Sequence, residues 1–251
     1  MPDSKPDSYV KYRVLVTGFG PFGTFKDNPS WLAVKTLHDT VITTAPRGKP
    51  PKGAKAPAIH LTSLNIPTLY TAVLDTLPGL HAAPPVLPDA YTPPCSRAPP
   101  DAGFDLLVHV GVAGPGPLFA ERRAHKTGYS LPDNDHQPPP LAEGADGRHG
   151  FGAPRYGADF AEELYTPIDV DGVVADLTSG LEPLVQPSDD PGHYLCDFIY
   201  YCSLAESKLA GRSTPVLFVH CPPTGQKMTA EEVADGVRRI IANVCARMVQ
   251  Q

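Results

Sequence analysis

The sequence predicts an α/β fold: a single three-layer α/β/α domain built on a mainly parallel, twisted sheet. Short, largely apolar, β-branched runs of the kind buried on both faces of a parallel sheet recur along the chain. Amphipathic helical patterns lie between them, and that alternation gives strands covered on both faces by helices. With 251 residues, 41% hydrophobic and 19% charged, the chain is long enough to bury a sizeable core and lacks the polar bias of a disordered protein.

The elements follow in order. Arg13 to Thr17 (RVLVT) reads as the first strand. Asn28-Pro29 is an N-cap followed by a first-turn proline, opening a helix through Trp31, Val34 and Leu37. Ile59 to Leu64 is a second strand, and Thr68 to Leu77 a helix with Leu69, Ala72, Val73 and Leu77 on one face. Asp105 to Val110 (DLLVHV) is a third strand. Tyr194 to Leu209 is a helix with Leu195, Phe198, Ile199, Cys202 and Ala205 along one side, and Val216 to His220 (VLFVH) a fourth strand. Thr229-Ala-Glu-Glu232 has capping-box spacing and opens a last helix whose apolar positions are Val233, Val237, Ile240, Ile241, Val244 and Met248. Prolines, 31 against 22 glycines, cluster in Ala45 to Pro57, Pro78 to Pro100 and Pro132 to Pro154. Apolar periodicity lapses in all three, which read as surface insertions around the core.

Charge and cysteine usage narrow the function. The 27 acidic residues outnumber the 21 basic ones, so there is no electrostatic footprint for nucleic acid or an anionic membrane. No run approaches the roughly 18 apolar residues of a membrane span, and Met1 to Val10 lacks the apolar centre of a signal peptide, which predicts a cytoplasmic protein. Cys95, Cys196, Cys202, Cys221 and Cys245 form an odd, dispersed set without a CxxC pair. That argues against a disulfide framework and a structural zinc site, and leaves a nucleophile as the special role for a cysteine.

Gly18-Phe-Gly-Pro-Phe-Gly23 matches the spacing of a dinucleotide-binding turn. Yet Thr24 to Asp27 intervene before the helix cap, and Ile59 to Leu64 ends without the acidic residue that would hold a ribose. Phe19 and Phe22, on a rigid turn at the carboxyl end of a strand, suit instead the wall of a small apolar pocket, or simply cap the core.

Three residues could carry acyl chemistry. Cys196 stands at a helix entrance, where the dipole favours a thiolate and free backbone N–H groups can hold an oxyanion. His220 ends a strand on the edge where a general base is wanted. Glu121, after the glycine-rich Gly111 to Gly116, could orient that imidazole. Each has a plainer reading: an inert buried thiol, a satisfied edge histidine, and an ion-pair partner of Arg122 or Arg123. All three follow different strands of one expected parallel sheet, on the same edge.

Taken together, the residues resemble the pyroglutamyl peptidase I (pyrrolidone-carboxylate peptidase) family. Val14-Leu-Val-Thr-Gly-Phe-Gly-Pro-Phe-Gly23 with Asn28-Pro-Ser-Trp31 is similar to the family's opening strand, phenylalanine turn and helix start. His109-Val-Gly-Val-Ala-Gly114, Glu121-Arg122 and Pro132-Asp-Asn134 look like its glutamate block. Gly192-His-Tyr-Leu-Cys196 and Phe218-Val-His220 complete the set, the histidine 24 positions after the cysteine. The resemblance implies a cysteine exopeptidase acting on peptides with an N-terminal pyroglutamate, with Cys196 as nucleophile, His220 as base and acid, and Glu121 as orienter. It also implies that Phe19 and Phe22 sandwich the lactam ring while backbone groups near Asn28 and Val112 bind its amide, with no metal or cofactor. The oligomeric state stays open.

This chain departs from the family pattern in three places. Tyr129-Ser130 stands where an arginine is usual, leaving that role vacant or to Arg122, Arg123 or Lys126. Asp197, in place of asparagine, puts a carboxylate beside the thiol, which disfavours the thiolate. The proline-rich stretches have no counterpart in compact bacterial members, which points to a divergent eukaryotic-type member. Two other readings compete: a catalytically silent relative, and a nucleotide-binding protein using Gly18 to Gly23.

Overall fold

A computed structural model describes residues 10–45, 55–142, 147–153, 155–178 and 184–248. Nine strands and five α-helices are found among them: β1 (Val10–Phe19), α1 (Pro29–Val34), β2 (Thr40–Thr43), β3 (Ala58–Ile66), α2 (Tyr70–Leu80), β4 (Leu106–Val112), β5 (Leu118–Glu121), β6 (Arg123–His125), β7 (Glu163–Tyr165), α3 (Val170–Leu177), β8 (Val185–Ser188), α4 (Leu195–Leu209), β9 (Val216–Cys221) and α5 (Ala230–Met248). Seven strands form one sheet in the order β2-β3-β1-β4-β9-β5-β8, and β6 pairs with β7 in a separate ribbon.

The four strands read from sequence are the centre of this sheet, and they run parallel: β1 beside β3 and β4, and β4 beside β9. Period-two alternation sends their side chains to opposite faces. Val14, Val16, Val108, Leu217 and Val219 join a core with α5 residues such as Val237 and Ile241. Leu15, Leu107, Val216 and Phe218 join another with α2 and α4 residues such as Val73, Phe198 and Ile199. The sheet is thus sandwiched, with α1, α3 and α5 on one side and α2 and α4 on the other. Deleting a fully buried side chain from either layer, such as Leu217→Ala, costs about 2–5 kcal/mol.

The caps form as the sequence predicts. Asn28 Oδ1 accepts from the Ser30 N–H ahead of Pro29. Thr229 and Glu232 close a reciprocal box, Thr229 N–H to Glu232 Oε2 and Glu232 N–H to Thr229 Oγ1. The first helix is shorter than its pattern: it gives way at Lys35 to a 3-10 turn ending at Leu37.

The sheet is mainly parallel as expected, with two antiparallel pairings, β2 on β3 and β5 on β9. Glu121 therefore ends a short strand of its own, running opposite to the central four. Phe19 is the last residue of β1, so only Phe22 lies in the turn proper. Pro78 belongs to α2; in the last turn its missing N–H removes a single helical bond. The second proline-rich excursion therefore starts at His81, not at Pro78. Residues 46–54 of the first stretch and 143–146 and 154 of the third lie outside the described residues.

Candidate active site

The register of β5 on β9 determines what meets at the sheet's end. Glu121 lies opposite Phe218, so the next residue of β9 on that face, His220, is its diagonal neighbour. His220 Nδ1 and Glu121 Oε1 are 2.7 Å apart, and both residues are buried. The plainer reading of Glu121 fails, because the two arginines are employed elsewhere. Arg122 bonds Asp171 and Asp189, and Arg123 bonds Glu163 and the Asp189 carbonyl. Lys126 Nζ donates to the carbonyls of Gly157 and Phe160. None of the three lines the pocket described below.

Helix α4 covers this face of the sheet and delivers Cys196 in its first turn. Its N-cap, Tyr194, makes no side-chain bond to the helix, so no side-chain cap occupies the first-turn N–H groups. The Cys196 thiol lies within interaction range of His220. Burial pulls the imidazole toward its neutral form, but its interactions with Cys196 and Glu121 outweigh it and raise its pKa to about 10. Room for the sulfur comes from Gly111 on β4, which pairs with His220. A Cβ there would stand 2.7 Å from both Cys196 Sγ and Phe218 Cζ.

Beside the sulfur is a small cavity, about 50 Å³, lined by Phe19, Phe22, Asn28, Thr68, Val112, Tyr194, Leu195 and Cys196. All four residues expected to bind the ring therefore surround one space with the expected nucleophile. The walls are braced from behind. Asn28 Nδ2 donates to the Gly20 carbonyl, the Phe19 N–H donates to Ser30 Oγ, and Thr68 Oγ1 bonds the Gly20 and Pro21 carbonyls. Phe22 and Phe25 exchange two backbone hydrogen bonds around Gly23, whose φ of +54° suits glycine. Tyr194 packs on Phe22 with ring centroids 5.4 Å apart.

The Pro132-Asp133-Asn134 block locks this wall to α2 and α4. Asp133 Oδ2 accepts the Tyr70 N–H at the start of α2, Asn134 Nδ2 donates to the Pro21 carbonyl, and Tyr194 Oη donates to the Pro132 carbonyl. Sequence reasoning missed Thr68, Tyr194 and Leu195 as lining residues. Tyr194 and Leu195 sit inside the Gly192 to Cys196 block, so their adjacency to the nucleophile was the available signal.

Asp197 behaves differently from the sequence expectation. Its carboxyl is fully buried and turned toward His125, and burial pushes its pKa up to about 8, against the bond from the His125 N–H. The neutral form is favoured, which removes the negative charge expected beside the thiol. Among the described residues two donor clusters are compact enough for a metal, Asp39 with His60 and Cys95, and His125 with His193 and Asp197. In both, the carboxylate is already taken up: Asp39 by His60, Cys95 and Ser96, Asp197 by His125. We assign neither a metal.

A thiol in the lining of an aromatic pocket, with a hydrogen-bonded imidazole and carboxylate on the same α/β/α sheet, is the arrangement of a thiol-dependent hydrolase. No model of a known protein family matches the chain. Among characterised proteins it is similar to human pyroglutamyl-peptidase 1, 33% identical over 91% of this chain and 87% of the human one. It is 31% identical to the mouse pyroglutamyl-peptidase 1 over 94% and 91%. Pyrrolidone carboxyl peptidase from Thermococcus litoralis shares the fold, with a TM-score of 0.69, 17% identity and coverage of 95% of this chain and 96% of that one. The chain belongs to the pyroglutamyl-peptidase 1 family.

Proposed function

We propose that this protein is a cysteine exopeptidase that hydrolyses the bond after an N-terminal pyroglutamyl residue through a thioester. The observation that carries the reading is that Cys196 is itself part of the lining of the Phe19–Phe22 cavity, so a ring held there presents its exocyclic carbonyl to the sulfur.

With the thiol's proton held on His220, sulfur attacks that carbonyl carbon, and the oxyanion develops toward the first-turn N–H groups of α4. Glu121 holds the imidazole orientation and stabilises the imidazolium. His220 then gives its proton to the leaving amine as the C–N bond breaks. Water, deprotonated by the same imidazole, attacks the thioester; as the C–S bond breaks the imidazolium returns the proton to sulfur, pyroglutamate is released and the thiol is regenerated.

Specificity follows from an uncharged substrate ring. Aromatic faces at Phe19 and Phe22 select a flat five-membered ring, and backbone groups near Asn28 and Val112 read the lactam amide. The Asn28 side chain, committed to Gly20 and Ser30, serves as scaffold. Proline, lacking the ring carbonyl, leaves an amide-reading group unpaired and is rejected. The hydrogen-bonded Glu121–His220 pair, with Cys196 in range of the imidazole, favours turnover over a silent binding role. Five free cysteines suit a reducing compartment and support a cytoplasmic location.

The test is fluorogenic amides of pyroglutamate and proline offered to the purified, reduced protein. Release from the pyroglutamyl substrate alone is expected. Equal release from both, or ring binding without release, overturns the reading.

A further inference from the structure

The nucleophile's helix does more than carry Cys196. Its next residue, Asp197, is fully buried and spends both carboxyl oxygens on one residue of β6. Oδ1 accepts the His125 backbone N–H at 2.7 Å, and Oδ2 meets His125 Nδ1 at 2.8 Å. Three residues further along α4, Tyr200 Oη donates to the Glu121 carbonyl at 2.9 Å. The same helix thus grips the segment 121–125 at both ends.

This grip closes a ring. Cys196 faces His220, His220 bonds Glu121, Glu121 leads by four peptide bonds to His125, and His125 returns through its hydrogen bonds to Asp197, the residue after Cys196. Every link but the Cys196–His220 contact is a covalent bond or a hydrogen bond. The His125 ring also stacks on His193, centroids 4.5 Å apart, which steadies the loop entering the nucleophile's helix. Tyr129 Oη donates to the His125 carbonyl, fixing the strand's far side.

We propose that Asp197 and His125 are positioning residues that set the Glu121–His220 pair against Cys196. The inference rests on the proposed peptidase chemistry but not on its substrate. A carboxyl wholly removed from water is costly to keep, and an apolar residue would pack the base of α4 as well. What a carboxyl adds is a two-point hold on a particular strand residue, one that fixes both the separation and the rotation of α4 relative to β5 and β6. Displacing a reacting group by about 1 Å costs on the order of 10²-fold in rate.

The experiment compares wild type with Asp197→Ala, Asp197→Asn, His125→Ala and the Asp197→Ala/His125→Ala double variant. Two readouts are taken: kcat and KM on a pyroglutamyl amide, and the rate at which iodoacetamide alkylates Cys196, followed by mass spectrometry of its peptide. Asp197→Ala and His125→Ala are each expected to lower kcat about 10²-fold with KM nearly unchanged, and to slow Cys196 alkylation. The double variant should be no worse than either single one, because both break the same link. Asp197→Asn, which still accepts the His125 N–H, should recover most of the loss. Wild-type kcat and alkylation in a folded Asp197→Ala protein, or losses that add in the double variant, overturn the proposal. If Asp197→Ala does not fold, His125→Ala decides alone. If wild type turns over no pyroglutamyl amide, the peptidase reading fails, and the alkylation rates still decide the clamp.

Discussion

Glu121 and His220 stand 99 residues apart in the chain and 2.7 Å apart in the fold, Oε1 to Nδ1. An antiparallel strand of four residues brings them together. Glu121→Gln keeps the shape but removes the charge that stabilises the imidazolium. It should lower kcat about 10²-fold and leave KM within about twofold, read by steady-state kinetics.

The same pair sets the alkaline limit of activity. Burial alone would make His220 shed its proton early, but its interactions with Cys196 and Glu121 hold it to about pH 10. The proton needed by the leaving amine is present below that pH and lost above it. The kcat profile should therefore stay high to alkaline pH in wild type, and its falling limb should move to lower pH in Glu121→Gln.

Gly111→Ala tests the packing at the sulfur. The added methyl would lie 2.7 Å from Cys196 Sγ, closer than real side chains approach, and its other neighbour, the Phe218 ring, has no room to retreat inside the core. Loss of most activity is expected, together with slower alkylation of Cys196. A fully active Gly111→Ala would show that the sulfur does not react from where it now sits.

The two phenylalanines should separate by burial. Phe19 is 3% exposed and belongs to the α2–α4 core, so Phe19→Ala should cost about 3–5 kcal/mol as well as substrate affinity. Phe22 is only partly buried, so Phe22→Ala should raise KM with a small change in Tm.

Asp197 supplies a stability test with a definite sign. Its folded pKa of about 8 lies above the ordinary 3.8, so between roughly pH 4 and 8 the folded state keeps a proton that the unfolded chain releases. This contribution to stability falls as pH rises through that window. Asp197→Asn has no such group, and its Tm relative to wild type should improve from pH 5 to pH 8.

The central strands and the long helices were legible because burial on both faces, or on one, leaves a run of apolar residues that can be counted. The phenylalanine turn and the block before Cys196 were legible as motifs. The strands β2, β5, β6, β7 and β8 were not, since three or four residues carry too little periodicity, and β8 even contains Pro187. That is why the sequence points to Glu121 without revealing its strand or its direction. Asp197 reads from the sequence as a charge beside the thiol because nothing local to it reveals a partner 72 residues away.

The most direct measurement is release of fluorophore from a pyroglutamyl amide by wild type beside Cys196→Ala, both shown to be folded and reduced. Turnover by wild type that vanishes in the variant is the predicted result. Turnover that survives the loss of the Cys196 sulfur would contradict the account.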